Sequence, residues 1–324
     1  MKAILCRELG TPSVLRLEER PTQILSTGDV RIRVRAAGIN FPDILMVAGK
    51  YQHKPALPFV PGFEISGEVV ETGPGCVSFK AGDKVMASMR TGGYAEECVV
   101  TGGAVRHMPT PFDFAQGAAF QVAYSTAYVA LVRRANLTKE ETLLVHGATG
   151  GVGLAAVELG RVLGAKIIAT VSKKEKVEPA IQAGAHHVII LNQNGFRDLV
   201  KEITNGNGAD VIYDPVGGSI FDESLRCIAW GGRLLVVGFA GGQIPNAAAN
   251  RILIKGCSVV GVRAGEFARR DPVRGQKNYQ TLLKLANDGR LTPRIHARLP
   301  LHQAAEAMSL LTERKVVGKV VLVP

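Results

Sequence analysis

The stretch HGATGGVGLAAVELGRVLGAK, from His146 to Lys166, is the part of the chain whose residue types and spacing point most directly to chemistry. Ala148-x-Gly150-x-x-Gly153 departs from the pattern G-x-G-x-x-G by an alanine in first place and by an added Gly151. Gly150 and Gly151 let a backbone turn tightly and approach a pyrophosphate, and Gly153 lets the following helix pack closely on a sheet. The N–H groups that open such a helix, together with its dipole, attract phosphate. Thr149, Gly150, Gly151 and Val152 are therefore candidate contacts of a dinucleotide. A glycine turn that only joins a strand to a helix has a similar composition, so the neighbouring elements decide between the two.

The next apolar run, AKIIATVSKKEK, narrows the choice of dinucleotide. An acid at the end of this strand grips the ribose 2′-hydroxyl of NAD. Here Ser172 is followed by Lys173, Lys174 and Lys176, with no acid before Glu175. A 2′-phosphate would meet a hydroxyl donor and ammonium groups instead of a repelling carboxylate. Lysines at a helix start also oppose the helix dipole, so a simple solvated face is a poor use for them. NADPH is expected over NADH, with Ser172 and Lys176 among its contacts.

The elements that must position these residues fall into two classes. Up to about residue 120, short runs such as DVRIRVRAAG (29–38), FEISGEVVETG (63–73), GDKVMAS (82–88) and GYAEECVV (93–100) lie between glycines and prolines. Several alternate polar with apolar residues, as half-buried strands do. From about residue 124, apolar β-branched runs at 142–147, 165–171, 186–191, 209–214, 233–238 and 257–262 alternate with candidate helices at 151–163, 174–184, 195–204 and 219–229. This alternation predicts an α/β fold whose six strands form a doubly wound parallel sheet of the Rossmann type. The connection 239–256 has no clear pattern. The tail predicts helices near 275–288 and 302–312 and a final strand in GKVVLVP that returns to the first domain. The expected division is 1–123 as a β-rich domain, 124–264 as the dinucleotide-binding domain and 265–324 as the returning segment.

Composition bounds the remaining classes. Hydrophobic residues make up 46% of the 324 and charged residues 21%, as in an ordinary globular protein. No run approaches the roughly 20 apolar residues of a membrane span, and MKAILCRELG does not read as a secretory signal. The five cysteines are scattered without a C-x-x-C pair, which suits free thiols in a reducing cytoplasm. A net charge of +11 is spread along the chain, with RAGEFARRDPVRGQK (263–277) its densest stretch, so a field that attracts anionic ligands is expected and a nucleic-acid partner is not.

AAGINFPDILMVAGKY (36–51), PFVPGFEISGEV (58–69), STAY (125–128), HGATGGVG (146–153) and DPVGG (214–218) occur in that order. Together they resemble the medium-chain dehydrogenase/reductase superfamily and, within it, the zinc-free NADPH:quinone oxidoreductase, or zeta-crystallin-like, branch. The resemblance covers essentially the whole chain. It implies a GroES-like catalytic domain, a Rossmann domain, an active-site cleft between them and a homodimer through the edge of the Rossmann sheet. It also implies hydride transfer from NADPH to a small quinone or another α,β-unsaturated carbonyl. An enoyl-thioester reductase shares the same motifs, and an NADPH-binding structural or regulatory protein would share the cofactor turn.

Zinc-dependent members of the superfamily use a cysteine near position 40 and the histidine of a G-H-E triplet. Here Asn40 and Phe63 of GFE stand in those places, and neither supplies a thiolate or an imidazole, so no metal is expected. The resemblance makes NFPDILMVAGKY a lining of the cleft. Pro42 fits the first turn of a short helix and Gly49 its C-terminal cap. Asn40 and Asp43, three residues apart, can share a face and act on the substrate, or can cap that helix. The Tyr51 phenol remains a donor at neutral pH, and a tyrosine in the matching place is the proposed proton donor of related enoyl-thioester reductases; a rim tyrosine that only packs the cleft mouth is the alternative. The same carry-over puts Asn40, Thr126, Val216, Gly238 and Phe239 beside the cofactor, and Lys319 either there or on the plain surface. Leu191 and Asn192 stand where several quinone reductases have a tyrosine flanking the adenosine phosphate, so part of that clamp is missing.

Overall fold

A computed structural model of the protein describes residues 1–191 and 195–324. The chain divides into two compact units, Met1–Val122 with Thr292–Pro324, and Ala123–Leu291.

The first unit opens with β1 (Lys2–Leu5), β2 (Arg16–Glu19) and β3 (Asp29–Gly38). The short helix α1 (Phe41–Val47) follows, then β4 (Glu64–Thr72), β5 (Lys84–Ser88), β6 (Glu97–Thr101) and β7 (Val105–His107). β3 shows why these runs are strands. Val30, Ile32 and Val34 are buried while the alternate arginines 31, 33 and 35 face outward, the period of two that a one-sided sheet requires. The helix α2 (Phe114–Tyr128) carries the chain into the second unit and runs on into a π-helical stretch, Val129–Arg134.

In the second unit β8 (Thr142–Val145), β9 (Lys166–Val171), β10 (His187–Ile190), β11 (Ala209–Asp214), β12 (Ile228–Val236) and β13 (Ser258–Gly261) form one parallel sheet. Its order is β10-β9-β8-β11-β12-β13, the expected Rossmann arrangement, with the reversal between β8 and β11. The helices are α3 (Gly151–Leu163), α4 (Val177–Ala183), α5 (Arg197–Ile203), α6 (Ser219–Cys227), α7 (Ala249–Lys255), α8 (Ala264–Arg270) and α9 (Pro272–Asn287). The chain then returns to the first unit as β14 (Ile295–Pro300), α10 (Ala304–Thr312) and β15 (Lys319–Val323). β14 and β15 complete a seven-stranded sheet ordered β14-β15-β3-β4-β5-β7, with β6 also paired to β3.

Three details differ from the sequence reading. α6 stops at Cys227 and β12 starts five residues early, because a bulge lets β12 advance five positions, from Ile228 to Arg233, while β11 advances two, from Ala209 to Val211. The unassigned connection holds α7. Residues 265–291 sit with the second unit, since α9 buries Tyr279, Leu282 and Ala286 there, and Asn278 Oδ1 accepts a 2.8 Å hydrogen bond from Arg133 Nε. Among the described residues no helix is long and apolar enough to cross a membrane.

Candidate functional site

The glycine turn lies at the carboxyl end of β8, next to the reversal in strand order where open α/β sheets take their ligands. Gly147 has φ +55° and Gly150 caps α3 without a side-chain hydrogen bond. The opening N–H groups of this 13-residue helix are thus left to an outside acceptor. A Cβ at Gly153 would lie 2.2 Å from the Gly147 carbonyl oxygen, so only glycine lets the helix begin this close to the turn. A Cβ at Gly150 would meet that oxygen at 3.4 Å, an ordinary contact. Gly153→Ala is therefore expected to lower stability by about 1–3 kcal/mol through overpacking, with Gly150→Ala near neutral for folding, as read from thermal denaturation.

Ser172 and Lys173–Lys176 follow the carboxyl end of β9, the strand adjoining β8. Ser172, Lys173 and Lys174 are exposed, whereas Lys176 is buried; Lys173 shares its charge with Glu175 at 3.8 Å. On the other side of β8, Asp214 ends β11 and its Oδ1 accepts the Val216 and Gly217 N–H groups at 2.8 and 3.0 Å. Burial raises the pKa of Asp214, and these two N–H donors oppose the rise. The bonds hold the DPVGG turn, where Gly217 and Gly218 have φ +74° and +58°. Thr149 is buried, and Thr126, Val216, Gly238 and Phe239 are half-buried. Leu191 packs against the core under β10 and α5; Asn192 lies outside the described residues.

His146, between β8 and the turn, is fully buried and held at both ring nitrogens. Nε2 is 2.8 Å from Ser224 Oγ, and that hydroxyl gives its only hydrogen to the Ile220 carbonyl at 2.7 Å. Nε2 must therefore carry the proton and donate it to Ser224, leaving Nδ1 to accept from Thr170 Oγ1 at 3.0 Å. Burial pushes the His146 pKa down to about 3, so this imidazole is a neutral strut and not a base near pH 7.

In the first unit a second polar network joins residues that the sequence keeps far apart. Lys319 Nζ, on β15, donates to Ile39 O at 2.8 Å, Asn40 Oδ1 at 2.6 Å and Glu64 Oε1 at 2.9 Å. Asn40 Nδ2 donates in turn to Glu64 Oε1 at 3.0 Å and to Gly38 O at 3.3 Å. The other Glu64 oxygen accepts the backbone N–H of Val122 at 2.9 Å. Asp43 accepts from Asn40 N at 2.8 Å and from Gly62 N at 3.1 Å. Burial drives the Asp43 pKa up to about 7, against the opposing pull of Tyr94, the Asn40 and Gly62 N–H groups and the Lys319 charge.

This geometry redirects three expectations. Both amide hydrogens of Asn40 go to protein acceptors, so its carboxamide braces the site. Asp43 takes the capping role through the Asn40 N–H. Lys319, 7% exposed, gives its three hydrogens to Ile39 O, Asn40 Oδ1 and Glu64 Oε1. Tyr51, placed two residues beyond the Gly49 turn, is half-buried, with its ring edge-on to Phe63 at 5.7 Å. Sequence reasoning missed Gln121, which is buried and whose Nε2 has no hydrogen-bond partner. A ligand oxygen there would relieve about 1–3 kcal/mol of desolvation. It also missed Glu64, although a lone lysine in the apolar run GKVVLVP signals a buried counter-charge.

The donor set does not suit zinc. Asn40 and Phe63 offer neither thiolate nor imidazole, and a cation beside them would face the buried Lys319 ammonium. Among the described residues no group of three or more His, Cys, Asp or Glu side chains is placed to hold a metal ion.

Residues 26–133 match the alcohol dehydrogenase GroES-like domain, and residues 151–288 match the domain described as zinc-binding dehydrogenase. The quinone oxidoreductase-like protein 2 homolog of Nematostella vectensis is 44% identical over 324 residues, covering 99% of this chain and 88% of the relative. Human quinone oxidoreductase is 33% identical, with 99% of this chain and 97% of the relative covered. The Escherichia coli quinone oxidoreductase solved with NADPH superposes with a TM-score of 0.92 at 29% identity, covering all of both chains. With whole-length identity at this level and the strand order and glycine cradle described above, the chain belongs to the quinone oxidoreductase branch of the medium-chain dehydrogenase/reductase superfamily.

Proposed function

We propose that the protein is an NADPH-dependent reductase that passes hydride to a quinone or another α,β-unsaturated carbonyl. The observation that carries this reading is the glycine cradle at the strand-order reversal, with Ser172 and the lysine run at the end of the adjoining strand. The NADPH held by the E. coli relative supports it. When bound, NADPH supplies the hydride. The Thr149–Val152 backbone cradles its pyrophosphate, with the Gly151 and Val152 N–H groups as donors while Gly150 N is held by Gly147 O at 2.9 Å, and Ser172 and Lys176 bind its 2′-phosphate. Val216, Gly238, Phe239 and Thr126 border the nicotinamide, with the Asp214 bonds fixing the first of these. Tyr51 donates a hydrogen bond or proton to the oxygen that gains charge as the hydride arrives.

Assays with NADPH and either 1,4-benzoquinone or crotonyl-CoA test the acceptor. Turnover of the quinone is expected; turnover of the thioester alone would make the enzyme an enoyl-thioester reductase. NADPH binding without consumption of any acceptor would make the protein a cofactor-binding module. Lys176→Ala is expected to raise the Kd for NADPH at least about tenfold more than that for NADH, by titration of cofactor fluorescence. Equal effects would remove the lysine from the 2′-phosphate. Tyr51→Phe is expected to lower kcat by about 100-fold with little change in NADPH affinity, measured by steady-state kinetics.

The reading includes a homodimer through an edge of the parallel sheet, which β10 and β13 bound, and sedimentation tests it. Its five cysteines, all free, suit a reducing cytoplasm.

A further inference from the structure

The second unit carries another concavity at the amino-terminal ends of its strands, the end opposite the glycine turn. This bowl has a volume of about 480 Å³ and is bounded by the starts of β8, β9, β11 and β12 and by the loop between α5 and β11. Trp230, the only tryptophan in the chain, forms one wall and is 81% exposed.

Several features fix this indole in place. The β12 bulge that separates Ile228 from Arg233 in the ladder lifts Trp230 out of regular pairing. Gly231, with φ +73°, follows it and donates to Gly256 O at 3.2 Å. A Cβ on Gly256 would meet the six-membered ring of Trp230 at 2.9–3.0 Å, so the missing side chain is the seat on which the ring lies. The facing loop is equally set. Thr204 Oγ1 donates to Val200 O and accepts from Gly208 N, both at 2.8 Å, and Asn207 N bonds Thr204 O at 3.1 Å. Gly208, at φ +88°, would place a Cβ 2.4 Å from Cys227 O, which pins the loop against the start of β12. Asn205 and Asn207 are exposed on this fixed loop, and both line the bowl.

The lining also selects a chemistry. It pairs one carboxylate, Asp210, with one ammonium, Lys166, whose charge is shared with Glu140 at 3.4 Å. Asp210 Oδ2 accepts the Thr142 N–H at 2.7 Å, which orients the carboxylate. A phosphate would face Asp210, and a cation would face Lys166, so a neutral ligand fits best. Hydroxyl groups both donate and accept, as two carboxamides and a carboxylate require, and an indole face takes up an apolar ring surface. We infer that this bowl binds a neutral sugar ring, stacked on Trp230 and hydrogen-bonded by Asn205, Asn207 and Asp210. The site is independent of the glycine cradle and of the reductase reading.

Because Trp230 is the sole tryptophan, its emission reports this site alone. The full chain, without NADPH, is titrated with the methyl glycosides of glucose, galactose and mannose. A saturable change in emission in the millimolar range with at least one of them is expected, and Asn207→Ala weakens it about tenfold, the loss of one good hydrogen bond. Saturation-transfer NMR on the sugar C–H protons gives a second readout, and the signal is lost in Trp230→Leu. No saturable change together with no transfer to any of the three sugars overturns the site. Saturation by adenosine with no response to sugars overturns the ligand class. Equal sugar binding by Trp230→Leu removes the indole from it.

Discussion

Replacing Lys319 by methionine is expected to cost about 3–5 kcal/mol of folding stability, because Glu64 is left buried without its ammonium. Glu64 is fully buried, with one oxygen 2.9 Å from Lys319 Nζ and the other on the Val122 N–H. Glu64→Gln alone is expected to be costly too, since it strands the 7%-exposed lysine with only Ile39 O and Asn40 Oδ1 to compensate its charge. The double variant Lys319→Met/Glu64→Gln removes both charges and is expected to regain much of the loss. That non-additivity separates an ion pair from two unrelated structural roles. Hydrogen exchange in β3, β4 and β15 is the suitable measurement, because it reports the first unit specifically. Additive losses would show that the pair is not the unit of stability. A large change in NADPH affinity with unchanged exchange would restore Lys319 to the cofactor.

The same network shows how far the site is legible in the sequence. The glycine turn, the strand before it and the helix after it are local, with each residue's task set within a few positions, and the fold places them as composition and periodicity imply. Short-range capping is legible as well. Pro42 opens α1, Asp43 accepts the Asn40 N–H, and Gly49 ends the turn at φ +67°. What the sequence reading left open depends on partners far along the chain. Asn40 carries the same carboxamide whether it faces a substrate or is held by Glu64 and by Lys319, 279 residues later. The bulge in β12 is similar. Gly231 and Gly232 hint at it, but only the pairing with β11 shows that Ile228 already belongs to the sheet. His146 reads as the end of the 142–147 strand run, yet Ser224, 78 residues away, decides its tautomer.

Acidification is expected to destabilise the second unit by about 1.4 kcal/mol per pH unit below pH 6.5 through His146 alone. In the native state the buried imidazole stays neutral down to about pH 3, whereas an unfolded chain protonates it below its ordinary value of 6.5. Between these limits the unfolded state binds one more proton, so stability rises with pH and is lost as pH falls through the window. Protonating the native ring would also break its hydrogen bond from Thr170, because Nδ1 would become a donor. His146→Gln keeps a donor for Ser224 and gives up the titrating group. It is expected to be less stable near pH 7 by about 1–2 kcal/mol, one hydrogen bond and some packing against Phe196, but with a flatter profile from pH 6.5 to 4. Asp43 contributes the opposite slope in the first unit. Its native pKa of about 7 lies above the unfolded 3.8, so its contribution is complete below pH 3.8 and is lost as pH rises to 7. A probe that sums both units would therefore show partial cancellation between pH 4 and 6.5. Trp230 lies in the second unit, so urea unfolding followed by its emission at several pH values reports that unit, and the difference between the wild-type and His146→Gln slopes gives the His146 part, because Asp214 and Glu141 titrate in both. An unchanged slope in His146→Gln would show that another group titrates there.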